Sequence, residues 1–261
     1  MSKDGPLVVG EDKSFESKAK EFALSTNLIF KGNLEDLERE SLKKIEELNK
    51  HYYLVIGSKN LYLKLGVTLK NKPIYSDFLG WSEKPMKSNI LLAMKGLPKD
   101  CSVLDATAGL GQDALYLATL SKEVILLEQI PWLFSLLENG LDKAKRGHKK
   151  IFSRMHPFCV NAKEYLQELE ESPDVIYLDP MFNFSNKSKA KKDLQALREL
   201  IKEGLTNDLL QISLLKAKRR VIVKRHSKQD FLENLKPTYS IFGRVIRFDV
   251  YAISQVDLPL G

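Results

Sequence analysis

Three acidic residues each stand directly after a short apolar run, where a buried strand would end. They are Asp105, Glu128 and Asp179. In an open α/β sheet, ligands bind beyond the carboxyl ends of the parallel strands, so side chains at these positions can meet at one edge. Carboxylates attract cationic groups and accept hydrogen bonds from hydroxyl and amino groups. The three positions therefore predict a ligand site at the end of a parallel sheet.

The first of these acids is followed by a glycine turn. Gly109 and Gly111 allow a tight turn and a close approach of a ligand to the backbone. A carboxylate at Asp105 would repel a pyrophosphate but attract a cation. S-adenosylmethionine carries a sulfonium and an ammonium group, so the turn favours this cofactor over a nicotinamide dinucleotide. An ordinary strand-to-helix turn is the alternative.

The second acid, Glu128, lies 17 positions after Gly111. An acid at this place is suited to accept hydrogen bonds from both hydroxyl groups of an adenosine ribose. A solvated charge after a buried strand is the plainer interpretation. Asn161 and Ala162 follow the next predicted strand, where an adenine edge would lie. Asn161 could serve the adenine amino group or could instead cap a helix.

The third acid begins the tetrapeptide Asp179-Pro180-Met181-Phe182. An exocyclic amine of a base is a poor nucleophile, because its lone pair is delocalised into the ring. The Asp179 carboxylate and the rigidly held Pro180 carbonyl could accept its two N–H bonds and localise that lone pair. Phe182 could stack on the base and align the amine with a methyl donor. A plain strand-ending Asp-Pro turn is the alternative.

The elements needed to hold these residues alternate from residue 100 onward, which predicts an α/β fold with a mostly parallel sheet and a terminal antiparallel hairpin. The predicted strands cover 103–104, 124–127, 156–160, 175–178, 221–223, 239–242 and 245–253. The predicted helices cover 113–120, 131–145, 162–170, 187–203, 207–215 and 229–235.

The first part of the chain predicts a small α+β domain. Its expected strands cover 6–9, 28–30, 52–56 and 61–65, and its expected helices cover 14–23 and 33–50. Asn33 is a plausible N-cap for the second helix. We place the domain boundary near residue 80, which gives domains 1–80 and 81–261.

Composition narrows the class of protein. With 43% hydrophobic and 29% charged residues, the 261-residue chain has the composition of a folded soluble protein, and no apolar run reaches the length of about 20 residues that spans a bilayer. Met1 to Gly5 does not begin a signal peptide, and Cys101 and Cys159 have no paired spacing, so we expect a cytoplasmic protein with free thiols. The four histidines lack ligand spacing, so no metal is expected. A net charge of +7 suggests a polyanionic partner.

Together, several strings resemble the RsmJ family of bacterial small-subunit ribosomal RNA (guanine-N2)-methyltransferases. The strings are Asp105-Ala-Thr-Ala-Gly-Leu-Gly, Tyr177-Leu-Asp-Pro-Met-Phe182, Val221-Ile-Val-Lys-Arg225 and Arg247-Phe-Asp-Val-Tyr251. The resemblance covers about residues 75–253 and implies a seven-stranded Rossmann-like sheet with S-adenosylmethionine as cofactor. The cofactor positions that it implies are Gln112, Asp113, Glu128, Gln129, Asn161, Ala162 and Asp179.

Basic residues support the RNA partner that the resemblance implies, either free small-subunit ribosomal RNA or the assembled 30S subunit. The expected RNA-binding residues are Lys187, Lys189, Lys191 and Lys192, directly after the proposed base pocket, and Arg225 in a second basic run. A charge run is otherwise only a solvated face. Two alternatives stay open: the same chemistry on a DNA adenine or a protein amide, and an RNA-binding module that has lost catalysis.

Overall fold

The computed structural model describes residues 5–68, 72–85, 88–147, 149–180, 200 and 208–253. The chain divides after Tyr75 into two compact units. The first holds the described residues up to Tyr75 together with residue 200, and the second holds those of 76–180 and 208–253. The domain boundary near residue 80 stays a prediction.

The first unit contains a four-stranded sheet in the order β2-β1-β3-β4. Its strands are β1 Leu7–Gly10, β2 Phe30–Asn33, β3 Tyr52–Ile56 and β4 Leu61–Leu65. β1 runs parallel to β2 and β3, and β3 and β4 form the predicted hairpin. Its helices are α1 Glu16–Ser25, α2 Leu34–Glu38 and α3 Leu42–Leu48. The buried faces of β1, β3 and α2 form a core that includes Val9, Tyr53 and Leu34.

The single helix predicted over 33–50 is wrong, because the structure divides it into α2 and α3. Asn33 is the expected N-cap, since its Oδ1 accepts a hydrogen bond from the Asp36 amide at 2.8 Å. The break comes at Ser41, whose backbone is extended with ψ near 150°. Serine favours the cap position of a helix over its interior, which accounts for a second start at this residue.

The second unit contains a seven-stranded sheet in the order β10-β11-β9-β8-β5-β6-β7. Its strands are β5 Ser102–Asp105, β6 Glu123–Glu128, β7 Met155–Cys159, β8 Val175–Leu178, β9 Arg220–His226, β10 Tyr239–Phe242 and β11 Ile246–Ala252. Strands β5 to β9 are parallel to their neighbours within that set, and β11 is antiparallel to both β9 and β10. This is the predicted fold class, a Rossmann-like sheet with a terminal antiparallel hairpin.

The helices of this unit are α4 Phe78–Ser82, α5 Ser88–Ala93, α6 Gln112–Leu120, α7 Pro131–Arg146, α8 Ala162–Glu168 and α9 Leu209–Lys216. α4 was absent from the sequence prediction. Asp77 caps it by accepting a hydrogen bond from the Gly80 amide at 3.1 Å, and Phe78 is buried against the rings of Trp81 and Phe152. The helix predicted over 187–203 lies outside the described residues.

Strand order reverses at β5, which pairs with β6 on one side and with β8 on the other. At such a switch point the loops that follow the two strands diverge to opposite faces and leave a crevice at the carboxyl edge. The glycine turn follows β5, and Asp179 and Pro180 follow β8. The fold therefore brings the two motifs to one crevice.

The predicted helix over 229–235 is wrong and is replaced by a short 3-10 turn at Leu232–Asn234. Glu233 and Asn234 adopt left-handed backbone conformations with φ of 52° and 58°. This conformation lets the Glu233 carboxylate accept hydrogen bonds from the amides of Leu210 and Gln211, at 2.8 and 3.2 Å. The side chain satisfies backbone donors in the first turn of α9, which offsets the strain of the turn.

A buried pair holds the terminal hairpin to the same loop. Arg247 and Asp249 lie on β11, with their Nε and Oδ1 atoms 2.9 Å apart, and both side chains are almost completely buried. The Arg247 guanidinium also donates to the carbonyls of Ser227 and Gln229 at 3.0 and 2.7 Å. The Arg247 side chain of β11 thus holds the loop after β9 in place through its carbonyl groups.

Among the described residues, no helix has the length and apolar character needed to cross a lipid bilayer. Within the same ranges, no group of His, Cys, Asp and Glu side chains is arranged to hold a metal ion. The absence of a metal stays a prediction.

Candidate active site

The glycine turn after β5 has the conformation that its sequence demands. Gly109 and Gly111 have φ of 55° and 83°, in the left-handed region that favours glycine. A Cβ atom at Gly111 would lie 2.6 Å from side-chain carbons of Leu137 and Phe78, so packing as well as backbone conformation excludes a side chain. The Ala108 amide donates to the Leu127 carbonyl at 3.0 Å, which ties the turn to the end of β6.

Asp105 ends β5 and is buried beneath this turn, with one carboxylate oxygen accepting the Thr107 amide at 3.1 Å. Burial raises the pKa of Asp105 to about 8, and the nearby Asp113 and Asp179 carboxylates act in the same direction. The Thr107 hydrogen bond and the Lys224 ammonium oppose that rise. Asp105 therefore holds its proton more strongly than an ordinary carboxyl group, and a cation bound beside it would favour the ionised form.

Glu128 ends β6 and joins it to the glycine turn. Its Oε2 accepts the Gly109 amide at 3.1 Å, and its Oε1 accepts the Ile130 amide at 2.9 Å. A carboxylate offers about four lone-pair positions, which is more than these two backbone hydrogen bonds use. The side chain is thus held in one orientation at the end of its strand.

Asn161 is a helix cap in this structure. Its Oδ1 accepts the amides of Lys163 and Glu164 at 2.9 and 3.3 Å, in the first turn of α8. Its Nδ2 donates to Gln129 Oε1 at 2.7 Å. Of the two roles left open by the sequence, capping is present, and the link to Gln129 joins two predicted cofactor residues at the ends of β6 and β7. Ala162 follows as the first residue of α8 and is buried.

A cluster of charged groups fills the carboxyl end of β8 and β9. The Lys224 ammonium lies 2.5 Å from Asp113 Oδ2 and 2.6 Å from Asp179 Oδ2. The Tyr177 hydroxyl donates to the same Asp113 oxygen atom at 2.9 Å. Burial would lower the pKa of Lys224, but the two carboxylates outweigh it and hold that pKa above its ordinary value.

The sheet register explains why these residues meet. Asp105 pairs with Tyr177, and Tyr177 pairs with Ile222 on β9. Partners in register point to the same face, and side chains two positions apart on one strand share that face. Lys224 therefore lies on the same face as Tyr177, and α6 supplies Asp113 to it. Gln112, the first residue of α6, directly precedes Asp113.

Asp179 is joined to the glycine turn by its own backbone. Its amide donates to the Thr107 hydroxyl at 2.6 Å, and its side chain is 38% exposed. Pro180 follows it as the last described residue before the gap at 181–199. Phe182 lies outside the described residues, as do Lys187, Lys189, Lys191 and Lys192.

Arg225 is buried, and its guanidinium donates to the Asp230 carbonyl at 2.7 and 3.2 Å. Arg225 pairs in register with Arg247 on β11, and both guanidinium groups donate to carbonyls of the loop that follows β9. The structure thus gives this side chain an internal carbonyl partner, and its contact with RNA stays a prediction.

The comparisons with known proteins identify the family of this chain. A family described as "Putative SAM-dependent methyltransferase" matches residues 37–253. A "Ribosomal RNA small subunit methyltransferase J" from Thioalkalivibrio sulfidiphilus is 39% identical over 213 residues, which is 76% of this chain and 83% of the relative. A relative of the same name from Colwellia psychrerythraea is 42% identical over 162 residues, 60% of this chain and 59% of the relative.

A crystal structure described as an SAM-dependent methyltransferase, from Neisseria gonorrhoeae, has the same fold. It has a TM-score of 0.68 at 24% identity and covers 96% of this chain and 97% of its own. The family match defines an S-adenosylmethionine-dependent methyltransferase, with S-adenosylmethionine as its cofactor, and the fold is the one expected of that class. Within that class, the chain belongs to the RsmJ family.

Proposed function

We propose that this enzyme methylates the exocyclic N2 amine of a guanine in small-subunit (16S) ribosomal RNA, in the cytoplasm. The observation that carries the proposal is the hydrogen bond from the Asp179 amide to the Thr107 hydroxyl. It joins the Asp179-Pro180 segment, which would accept the amine, to the glycine turn, which would bind the cofactor. The RNA class is supported by the printed names of the relatives. The choice of guanine rests on the sequence resemblance described above.

The residues present fit the cofactor. Glu128 is oriented to accept the ribose hydroxyls, and Gly109 and Gly111 allow the close approach of a ligand to the backbone. Asp105, Asp113 and Asp179 make the crevice favourable for a cation. The cofactor supplies a methyl group made electrophilic by the sulfonium. We assign cofactor contacts also to Gln112, Gln129, Asn161 and Ala162.

Asp179 and the Pro180 carbonyl would orient and polarise the target amine. Both accept hydrogen bonds, so together they can take the two N–H groups and direct the nitrogen lone pair away from the ring. The nitrogen forms a bond to the methyl carbon as the carbon–sulfur bond breaks and its electron pair stays on sulfur. The nitrogen then loses one proton to water, so a strong base is not needed.

The RNA contacts are assigned from the sequence. Phe182, two residues after Pro180, would stack on the target base, which must be unstacked to reach the crevice. The basic cluster that follows would contact the flanking phosphates; it comprises Lys187, Lys189, Lys191 and Lys192. The net charge of +7 agrees with a polyanionic substrate.

Product analysis tests the proposal. The enzyme is incubated with methyl-labelled S-adenosylmethionine and small-subunit RNA lacking its methyl groups, either as free RNA or as assembled 30S particles. Nucleosides are then separated and identified by mass spectrometry. We expect label in N2-methylguanosine, with the more active of the two RNA forms being the substrate. Label in methyladenosine alone, or in DNA or protein but not RNA, would contradict the proposal.

A further inference from the structure

We propose that Lys224 is a positioning residue for methyl transfer: its ammonium group holds the Asp179 carboxylate ionised and fixed in orientation, so that Asp179 can accept the target amine. This inference rests on the proposed function, because it concerns the residue that receives the amine. Lys224 itself is assigned no contact with the base or with the cofactor.

The first argument is geometric. Lys224 lies one position beyond the residue of β9 that pairs with Leu178, so it stands beside Asp179 at the carboxyl edge. The 2.6 Å hydrogen bond occupies one lone-pair position of Asp179 Oδ2. A carboxylate has about four lone-pair positions, so it can accept several donors at once. The Lys224 contact therefore restricts rotation of the carboxylate without using up its accepting capacity.

The second argument is electrostatic. Asp113 and Asp179 both lie within 2.6 Å of the same ammonium nitrogen atom, and Asp105 is near enough to affect the same group. When carboxylates lie close together in a partly buried site, each raises the pKa of the others, because like charges repel. A protonated Asp179 would present an O–H donor to an amine that needs acceptors. The Lys224 cation opposes protonation of both carboxylates.

The third argument concerns how Lys224 itself is held. The Lys224 side chain is only 18% exposed, and it remains a cation because two carboxylates contact it. The titratable groups around it are Asp105 on β5, Asp113 on α6, Tyr177 on β8, and Asp179. Tyr177 donates to Asp113, and burial together with the nearby Asp113 charge raises its pKa well above the ordinary value, so it stays a neutral donor. Lys224 is thus the cation that offsets part of the negative charge of these carboxylates.

The test compares Lys224→Met, which removes the charge, with Lys224→Arg, which keeps it. Lys122→Met is the matched control, an exposed lysine directly before β6 at the opposite edge of the same sheet. Carboxyl groups of aspartate are labelled with carbon-13 and titrated by NMR in the full-length protein, which requires no RNA. Single-turnover methyl transfer to RNA is measured over the same pH range, and cofactor affinity is measured by calorimetry.

We expect Lys224→Met to move the titration of the Asp113 and Asp179 carboxyls, and the acidic limb of the rate profile, about 1–3 pH units upward. Methyl transfer at pH 7 should fall about 100-fold, because Asp179 loses the contact that fixes its orientation, and protonation of Asp179 should add to the loss at lower pH. Cofactor affinity should change much less than the rate of methyl transfer, since loss of the Lys224 charge and protonation of the neighbouring carboxylates act in opposite directions on a cationic ligand. Lys224→Arg should keep the acidic limb of the parent even where the larger side chain slows transfer, and Lys122→Met should match the parent throughout.

An unshifted carboxyl titration in Lys224→Met would overturn the inference, and so would an unchanged single-turnover rate. Failure of the proposed function has a different signature: the parent enzyme would give no N2-methylguanosine, while the carboxyl titrations of the parent and Lys224→Met would still differ.

Discussion

Acidic side chains at the two ends of the parallel strands have pKa values shifted in opposite directions. At the amino end, Asp174 accepts the Ser102 amide at 2.9 Å and the Arg219 Nε group at 2.8 Å. Burial alone would raise the pKa of Asp174, but these partners hold it below its ordinary value. At the carboxyl end, Asp105, Asp113 and Asp179 are crowded around Lys224, and the pKa of Asp105 rises to about 8.

This difference in pKa indicates that the acid at the amino end serves stability and that the acids at the carboxyl end serve ligand binding. The pKa of Asp174 is lowered by partners within the chain, so its interactions stabilise the fold and are not directed toward a ligand. The carboxyl end gathers more negative charge than its own cation balances, which is unfavourable until a positively charged ligand arrives. Matched substitutions at the two ends should therefore affect different measurements.

The largest effect is expected for Asp179→Asn, which puts an N–H donor where the amine needs an acceptor. We expect methyl transfer to fall about 100-fold or more, on the scale seen when one positioned hydrogen-bonding group that stabilises a transition state is lost. The loss should fall mainly on turnover, since the hydrogen bonds strengthen as the nitrogen becomes tetrahedral. The same change at the amino end, Asp174→Asn, should leave turnover of the folded enzyme unaltered. Equal single-turnover rates for Asp179→Asn and the parent would remove the assigned role.

Glu128→Ala should weaken S-adenosylmethionine binding by about 1–3 kcal/mol, because hydrogen bonds to a charged acceptor are strong and the Gly109 amide also loses its partner. Glu123→Ala is the control, an acid at the amino end of the same strand β6. Calorimetric titration of both variants provides the measurement. If both bind the cofactor like the parent, Glu128 does not contact it.

Asp174→Ala should act on stability instead. Removing its carboxylate leaves the Ser102 amide without this acceptor, and we expect a loss of about 1–2 kcal/mol in the free energy of unfolding. Urea titration followed by circular dichroism measures the loss. Methyl transfer per folded molecule should equal that of the parent, and a large fall in transfer would show that the amino end also serves the chemistry.

Asp105→Asn should change how stability depends on pH. The folded-state pKa of about 8 exceeds the ordinary 3.8, so the folded protein holds this proton more tightly than the unfolded chain does. That contribution is complete below about pH 4 and disappears above about pH 8, and it falls by about 1 kcal/mol between pH 7 and pH 8. The parent should lose this amount over that interval relative to Asp105→Asn. Parallel stability curves for the two proteins would show that the buried carboxyl does not titrate there.

Much of the fold could be read from local pattern. Apolar runs ending in an acid placed β5, β6 and β8 within a residue or so, and proline correctly opened α7 at Pro131. The break at Ser41 and the left-handed Glu233 could not be predicted in this way. The first depends on a competition between capping and helix continuation, and the second depends on α9, which precedes Glu233 by some twenty residues.

The sequence predicts the acidic residues of the candidate site but not its lysine. Asp105, Asp113, Glu128 and Asp179 were all chosen from the sequence or from the family resemblance. The sequence alone does not distinguish Lys224 from the basic residues around it, because its role depends on the pairing of β8 with β9 and on a contact with a residue 45 positions away in the chain. The rule applied to the acids, a polar residue at the carboxyl end of an apolar strand, would have selected Lys224 from Val221-Ile-Val-Lys224.

The position of β11 has a consequence for biosynthesis. This strand follows every other strand of its sheet in the chain, yet it lies between β9 and β10. When a nascent chain has emerged only as far as Phe242, β9 can pair with β8 but not with β11. Its other side is therefore an exposed sheet edge whose backbone groups can pair with strands of other chains. Ribosome-bound chains stalled before residue 246 should be cut readily by protease within β9, whereas chains that expose β11 should resist.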